Sequence, residues 1–159
     1  FITFLQMGIA NGVQPLFGYN YGAGNWERFV TVERYTKKCC LIVGILATAL
    51  FFVLREPIIR LFIDDHEVVA YGVQMLSAYM ISGPVIGILF VNMNCMQSIG
   101  KALPATVLSV MRQGLLLIPL LYLLNAVLGL QGVIYGQALT DYAAVLLSMV
   151  LWRSMRQKI

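Results

Sequence analysis

CCLIVGILATALFFVL, residues 39–54, is a run of 16 residues without a formal charge, bounded by Lys38 on one side and Arg55 on the other. A hydrocarbon core about 30 Å thick needs roughly 20 helical residues, so the run is short by itself. Lysine and arginine side chains extend from an apolar boundary to the headgroups, so Lys38 and Arg55 lengthen the usable span. The run therefore predicts a transmembrane helix over residues 38–54.

The composition extends this interpretation to the whole chain. Of the 159 residues 60% are hydrophobic and only 11% are charged, and the mean hydropathy is +0.81. Soluble domains carry far more charge, so the bilayer is the expected solvent and partner of this chain. The net charge of +4 comes from basic residues that flank hydrophobic runs, which indicates a membrane surface and no nucleic-acid partner.

Four further apolar stretches are separated by glycine, proline and charged residues. With the first run, the predicted spans cover residues 1–20, 38–54, 68–98, 104–128 and 132–152. We expect an all-α integral membrane protein, a polytopic bundle of about five transmembrane helices that forms a single membrane domain over residues 1–159. Phe1 lies inside an apolar run without a basic segment before it, which favours a fragment that begins within a helix over a signal peptide.

The segments between the spans differ in charge. Residues 18–38 are expected to form a basic loop, residues 55–67 an acidic loop with a short interfacial helix, and residues 129–132 a tight turn. The 18–38 loop, the turn at Lys101 and the tail hold eight lysines and arginines, whereas the 55–67 loop and the 129–132 turn hold two. Because positive residues are retained in the cytoplasm, the C-terminus is predicted to be cytoplasmic.

Arg112 and Asp141 are the charged residues placed deep in predicted spans. Arg112 follows Lys101 by 11 residues and Asp141 precedes Trp152 by 11, so each lies roughly 16 Å from the same membrane surface. An unpaired charge at that depth costs several kcal/mol, which favours a mutual pair or a water-lined cavity. The pair is either a static lock between the last two helices or a participant in proton or substrate coupling.

Polar residues form a stripe along the first span. Thr3, Asn11, Gln14 and Tyr21 fall within an arc of about 80° on a helix. Asn94 and Gln97 repeat the pattern near the end of the third span that is predicted to be cytoplasmic. These six side chains either form hydrogen bonds between helices or line a cavity.

Prolines and glycines indicate where the helices bend and approach. Pro84 and Pro119 lie inside the third and fourth spans, and each predicts a kink in a continuous helix. Two Gly-x-x-x-Gly motifs, at residues 8–12 and 132–136, predict close helix packing.

The chain carries no motif of an enzyme or a metal site. DDHE, residues 64–67, is a run of consecutive residues that cannot all converge on one ion, so we interpret it as a solvated loop and helix cap. No nucleophile elbow, phosphate loop or His-Glu-x-x-His motif is present in the sequence. We expect no catalytic residue, no bound metal and no cofactor.

GVQPLFGYNYGA, residues 12–23, with Arg28 soon after, resembles the end of the eighth helix and the following loop in the multidrug and toxic compound extrusion family. Later segments are similar in order and spacing. They are the acidic outer loop, GP (83–84), QSIGK (97–101), MRQ (111–113) before Pro119, GLQG (129–132) and Asp141.

The resemblance implies twelve helices in two six-helix lobes, of which this chain supplies most of the C-terminal lobe. It implies a cation-coupled antiporter in the cell inner membrane, driven by Na⁺ or H⁺, that exports cationic or amphipathic drugs and needs the N-terminal lobe as partner. Some members carry a coupling carboxylate in the tenth helix, whereas this sequence has none between Glu67 and Asp141. Coupling then depends on an acid in the N-terminal part or on Asp141. Two alternatives stay open: a lipid-linked oligosaccharide flippase of related fold and a non-transporting membrane scaffold.

Overall fold

The computed structural model describes residues 1–61 and 66–157, and these form helices joined by short turns. The elements are α1 (Ile2–Gly22), α2 (Trp26–Arg60), α3 (His66–Met80), α4 (Ile86–Ser98), α5 (Ala102–Val110), a π-helical segment (Met111–Leu115), α6 (Leu117–Leu128) and α7 (Leu130–Arg156). Within the described residues, three helical stretches are long and apolar enough to cross a membrane, Trp26–Arg60, Ala102–Leu128 and Leu130–Arg156. The predicted all-α bundle is confirmed.

Helix α1 continues into the glycine-rich segment at residues 18–22, where the predicted loop begins. Gly18 and Gly22 are both helical, and the first positive φ occurs at Gly24. Tertiary packing overrides the low helix propensity of glycine here, because Phe17 and Asn20 are buried on one face. Packing against the next helix therefore carries α1 two residues beyond the predicted span.

The predicted basic loop over residues 18–38 is wrong, because most of it is the first third of α2. The connection between α1 and α2 is only residues 23–25, and Asn25 caps α2 by accepting a hydrogen bond from the Arg28 backbone N–H at 3.0 Å. The other end of α2 runs on to Arg60, with Pro57 inside. The predicted interfacial helix is thus the last turn of α2, and residues 62–65 lie outside the described part of the chain.

The third predicted span is broken rather than kinked. Helix α3 ends at Met80, α4 begins at Ile86, and residues 81–85 form turns between them. Pro84 has no N–H to donate and Gly83 favours a turn, so the helical ladder stops here. We call residues 81–85 the helix break.

The fourth predicted span is continuous but irregular one turn before its proline. Met111–Leu115 is π-helical, and the Leu116 N–H donates to the Met111 carbonyl at 2.7 Å. Pro119 is the third residue of α6 and has no N–H to donate to the preceding turn, so the irregular hydrogen bonds lie directly before it. The π-helical segment carries Arg112, so the irregularity lies at a charged residue, as π-bulges near functional sites often do.

The two Gly-x-x-x-Gly motifs have different surroundings. Gly132 lies against the Leu124 backbone and Gly136 against Leu121, so α6 and α7 approach closely. A Cβ added at Gly8 or Gly12 would meet no atom within 4 Å in the described part of the chain. Packing is confirmed for the second motif and is not observed for the first.

The helices pack around α4. Helix α1 contacts α2 and α4, while α7 contacts α3, α4 and α6. At one end of the bundle, Phe29 packs between Phe17 and Trp152 with tilted rings, whose centroids are 5.3 and 6.0 Å away. Arg28, Arg34, Lys38 and Arg156 lie at this end, which we call the basic end.

Candidate functional site: a polar cavity backed by a buried carboxylate

A cavity of about 950 Å³ opens between α1, α2, α3, α4 and the π-helical segment. Its polar lining includes Thr3, Asn11, Gln14, Asn94, Gln97 and Arg112, all of them residues that the sequence singled out. Aromatic and methionine side chains supply much of the remaining wall, among them Phe4, Met7, Phe51, Phe90 and Met93. Flexible methionines and flat rings adapt to ligands of different shape.

Tyr21 is the one member of the predicted stripe that lies elsewhere. It is half-exposed and packs edge-on against Trp26, with ring centroids 6.5 Å apart. It lies two turns beyond the cavity along α1, at the basic end.

Four amide side chains join α1 to α4 along the cavity wall, and we call them the amide seam. Asn94 Nδ2 donates to Asn11 Oδ1 at 3.0 Å, and Gln14 Nε2 donates to Gln97 Oε1 at 3.1 Å. Interhelical bonding and cavity lining, the two predicted alternatives, are combined in the same side chains. Each pair uses one donor and one acceptor, which leaves the other amide atoms for a ligand or water.

Arg112 and Asp141 lie together at the rear of the cavity. Arg112 Nε is 2.8 Å from Asp141 Oδ1, and the carboxylate is 2% exposed whereas the arginine side chain is 11% exposed. The guanidinium also lies 5.9 Å from the centre of the Phe90 ring. Arg112 thus lines the cavity, and Asp141 is buried behind it.

Two further donors reach the carboxylate. Ser82 Oγ donates to Asp141 Oδ2 at 2.8 Å, and Gln137 Nε2 lies 3.3 Å from Oδ1. We call these four residues, Asp141, Arg112, Ser82 and Gln137, the carboxylate network. It connects the π-helical segment, the helix break and α7.

Sequence reasoning missed both neutral members of the carboxylate network. Gln137 precedes Asp141 by four residues, and that helical spacing was a usable signal. No local signal paired Ser82 with a carboxylate 59 positions away.

The helix break is also held from two other directions. Tyr142 donates its hydroxyl proton to the Ile81 carbonyl at 2.9 Å. From the opposite side, buried Gln6 donates to the carbonyls of Gly83 and Cys40, each at 3.0 Å. Backbone groups freed by the break are satisfied by neighbouring helices, as a membrane interior requires.

A second buried acid ties α2 to α7 at the basic end. Glu33 is 3% exposed, accepts a hydrogen bond from Trp152 Nε1 at 2.8 Å, and pairs with Lys37. Arg156 lies 3.8 Å from its other oxygen. The sequence placed Glu33 in the predicted basic loop, so its structural role was missed.

No group of three potential metal ligands occurs among the described residues. In the predicted acidic loop, Asp64 and Asp65 lie outside the described part of the chain, as do the side chains of His66 and Glu67.

Broken and π-bulged helices around a mixed polar and apolar cavity are typical of membrane transporters. The MatE family model matches residues 1–123. The chain therefore belongs to the multidrug and toxic compound extrusion family, as its sequence motifs indicated. The expectation that it is not an enzyme is confirmed by this membership.

Curated relatives match along the whole chain. It is 28% identical over 159 residues to the multidrug export protein MepA of Staphylococcus haemolyticus (strain JCSC1435) and 27% identical to MepA of Staphylococcus aureus (strain MSSA476). The alignments cover 100% of this chain and 35% of each relative. The chain thus spans about a third of the length of these relatives.

Solved structures share the fold. An inward-facing multidrug resistance MATE family transporter of the MOP superfamily superposes with a TM-score of 0.89 at 19% identity, over 97% of this chain and 37% of that one. The outward-facing conformation gives 0.86 at 20% identity, over 97% and 36%. The MATE transporter ClbM in complex with Rb⁺ gives 0.86 at 24% identity, over 100% and 39%.

Proposed function

We propose that this chain forms most of one lobe of a cation-coupled antiporter that exports cationic or amphipathic drugs. The observation that carries the proposal is the position of Arg112, which lines a drug-sized cavity while its ion-pair partner Asp141 is buried behind it. The names of the MepA relatives support multidrug export.

The cavity has the dimensions and lining that varied drugs require. Its volume of about 950 Å³ lies near the upper end of the range for small-molecule sites. Aromatic rings and methionines contact apolar ring systems, and the free atoms of the amide seam offer donors and acceptors. None of these groups demands one substrate shape.

The charge arrangement supports exchange between a drug and a coupling cation. With Arg112 paired to Asp141, a cationic drug meets a neutral wall. A proton or Na⁺ that neutralises Asp141 frees the guanidinium toward the cavity, where it repels the drug. At about 6 Å and an effective dielectric constant near 20, that repulsion is about 3 kcal/mol, or more than a hundredfold in affinity.

Ser82 and Gln137 stabilise the buried Asp141 carboxylate during this exchange. A buried carboxylate that loses its only cation is strongly destabilised. Here two neutral donors stay on the carboxylate oxygens while Arg112 moves, so the network has a second stable arrangement.

Alternating access by rigid lobes is supported by the structural comparison. This chain superposes almost equally on the inward-facing and outward-facing relatives, with TM-scores of 0.89 and 0.86. A unit that keeps its fold in both conformations moves as a body against its counterpart. The second lobe, outside this chain, would supply the opposite wall of the drug site.

The flippase alternative is disfavoured by the cavity. A pyrophosphate headgroup needs several free cations, whereas Arg112 is the only charged side chain among the described residues that line the cavity, and it is already paired. A scaffold would not require a drug-sized polar cavity.

We also propose that the protein lies in the inner membrane of the cell with its basic end on the cytoplasmic side, because positive residues are retained in the cytoplasm.

The test uses the full-length protein that contains this chain, reconstituted in vesicles loaded with ethidium. Proton and Na⁺ gradients are imposed separately, and Asp141→Asn is compared with Glu56→Gln, which removes an exposed acid paired with Arg60. We expect export under one gradient, loss of that dependence in Asp141→Asn, and no change in Glu56→Gln. Absence of export under either gradient would reject drug export, whereas unchanged coupling in Asp141→Asn would place the coupling acid elsewhere.

A further inference from the structure

A second concavity lies away from the cavity, on the outer side of the bundle between α1 and α2. It is a groove of about 290 Å³, lined by Ile9, Val13 and Leu16 of α1 and by Val32, Tyr35 and Cys39 of α2. Thr31 and Thr36 also line it, but their hydroxyls donate to the Glu27 and Val32 carbonyls of their own helix. The lining is therefore apolar in effect.

The groove spans the boundary between hydrocarbon and headgroups. Cys39 opens the charge-free run of α2, and Thr31 lies eight residues nearer the basic end, about 12 Å along the helix. On α1, the stretch from Ile9 to Leu16 runs alongside. An apolar slot at this depth matches the upper part of a lipid acyl chain.

Basic side chains flank the groove. Lys38 Nζ lies 5.9 Å from the centre of the Tyr35 ring, which brings the amine back along the groove wall. Arg28 lies one turn beyond Thr31 and is exposed, as is Lys38. The ion pairs within the described residues involve Lys37, Arg60, Arg112 and Arg156, so neither of these two cations has an acidic partner there.

We propose that this groove binds one anionic phospholipid from the leaflet at the basic end. Its acyl chain lies along Ile9, Val13 and Leu16, and its phosphate lies between Lys38 and Arg28. These two residues are about 15 Å apart along the axis of α2 and about 80° apart around it, on either side of the face that bears Thr31 and Tyr35, so both side chains extend toward the phosphate. Basic pockets between helices at a membrane surface select anionic headgroups, and the apolar slot adds a contact that a bare basic surface lacks.

Native mass spectrometry of the delipidated full-length protein tests the site with two probes, phosphatidylglycerol and phosphatidylcholine. Lys38→Gln and Arg28→Gln are compared with Lys101→Gln, which removes the same charge from the turn between α4 and α5. We expect the first phosphatidylglycerol to bind about fivefold more weakly in each groove variant than in the control, from about 1 kcal/mol per basic residue. Equal weakening in all three variants would show only a general basic surface and would overturn the site.

Cys39 provides a readout in the unchanged protein, because its thiol is exposed whereas Cys40 and Cys95 are buried. Maleimide labelling of Cys39, followed by peptide mass spectrometry, should be several-fold slower in phosphatidylglycerol than in phosphatidylcholine. The difference should disappear in Lys38→Gln. Equal labelling in both lipids would overturn the proposal, and so would a Cys39 that reacts in neither lipid, since another part of the protein would then cover the groove.

Discussion

The amide seam and the carboxylate network both hold helices together with polar groups, but they differ in charge and burial. The amide seam is neutral, opens to the cavity, and contributes one bond per residue pair. The carboxylate network is centred on Asp141, which is 2% exposed and contacted by three side-chain donors. A hydrogen bond between two neutral side-chain amides contributes about 1 kcal/mol and can be replaced by a hydrogen bond to a ligand. A buried charge that loses its partner costs about 3–5 kcal/mol. The amide seam therefore suits varied ligands, and the carboxylate network suits a two-state event.

Removing Arg112 should produce the largest effect. Arg112→Leu leaves the Asp141 carboxylate without a cation, and we expect a loss of about 3 kcal/mol in unfolding free energy, measured by denaturation of the full-length protein in detergent. In Arg112→Leu/Asp141→Leu no charge is stranded, so most of that loss should be recovered. Strictly additive losses in the double-mutant cycle would contradict an energetic pair.

Ser82 separates the carboxylate network from simple helix packing. Ser82→Ala removes a hydrogen bond to a charged oxygen, about 2 kcal/mol, and should alter the coupling-ion concentration that gives half-maximal drug export. Tyr142→Phe is the matched control, because Tyr142 joins α7 to the same helix break through the neutral Ile81 carbonyl. It should cost about 1 kcal/mol and leave the ion dependence unchanged. If both variants shift the ion dependence of export equally, the position of the helix break controls it and the hydrogen bond to the Asp141 carboxylate does not.

The sequence predicted the Arg112–Asp141 contact because depth in a membrane can be counted. Of two antiparallel helices, one begins and the other ends at the same membrane surface, so residues at equal counts from that surface lie at equal depth, where the bilayer penalises an unpaired charge. The contact between Ser82 and Asp141 could not be predicted, because it depends on how the helix break packs against α7. The same limit applied to the two Gly-x-x-x-Gly motifs, which are alike in sequence although, of their four glycines, only Gly132 and Gly136 lie against another helix in the described chain.

Helix lengths were the weakest part of the sequence interpretation. Hydropathy marks where a helix enters the hydrocarbon core and does not mark where it ends. The charge-rich segment over residues 26–38 is helical because Asn25 caps α2 and Glu33 pairs with Lys37 one turn later. Burial of Glu33 against Trp152 then fixes that part of α2 to α7, which no local pattern in the sequence indicates.

The smallest effect on stability is expected in the amide seam. Gln97→Ala removes the bond from Gln14 and one cavity amide, and should change the unfolding free energy by about 1 kcal/mol or less. Drugs that hydrogen-bond to the amide should show a KM for export raised about fivefold, whereas apolar cations should be unaffected. Gln74→Ala is the matched control, since Gln74 donates to Gln131 at 2.9 Å and neither residue lines the cavity. Export rates for a panel of drugs, measured at a saturating coupling-ion gradient, distinguish the two variants. A uniform KM change across the panel, or an equal change in Gln74→Ala, would show that the amide seam acts only as a helix contact and does not contact the drug.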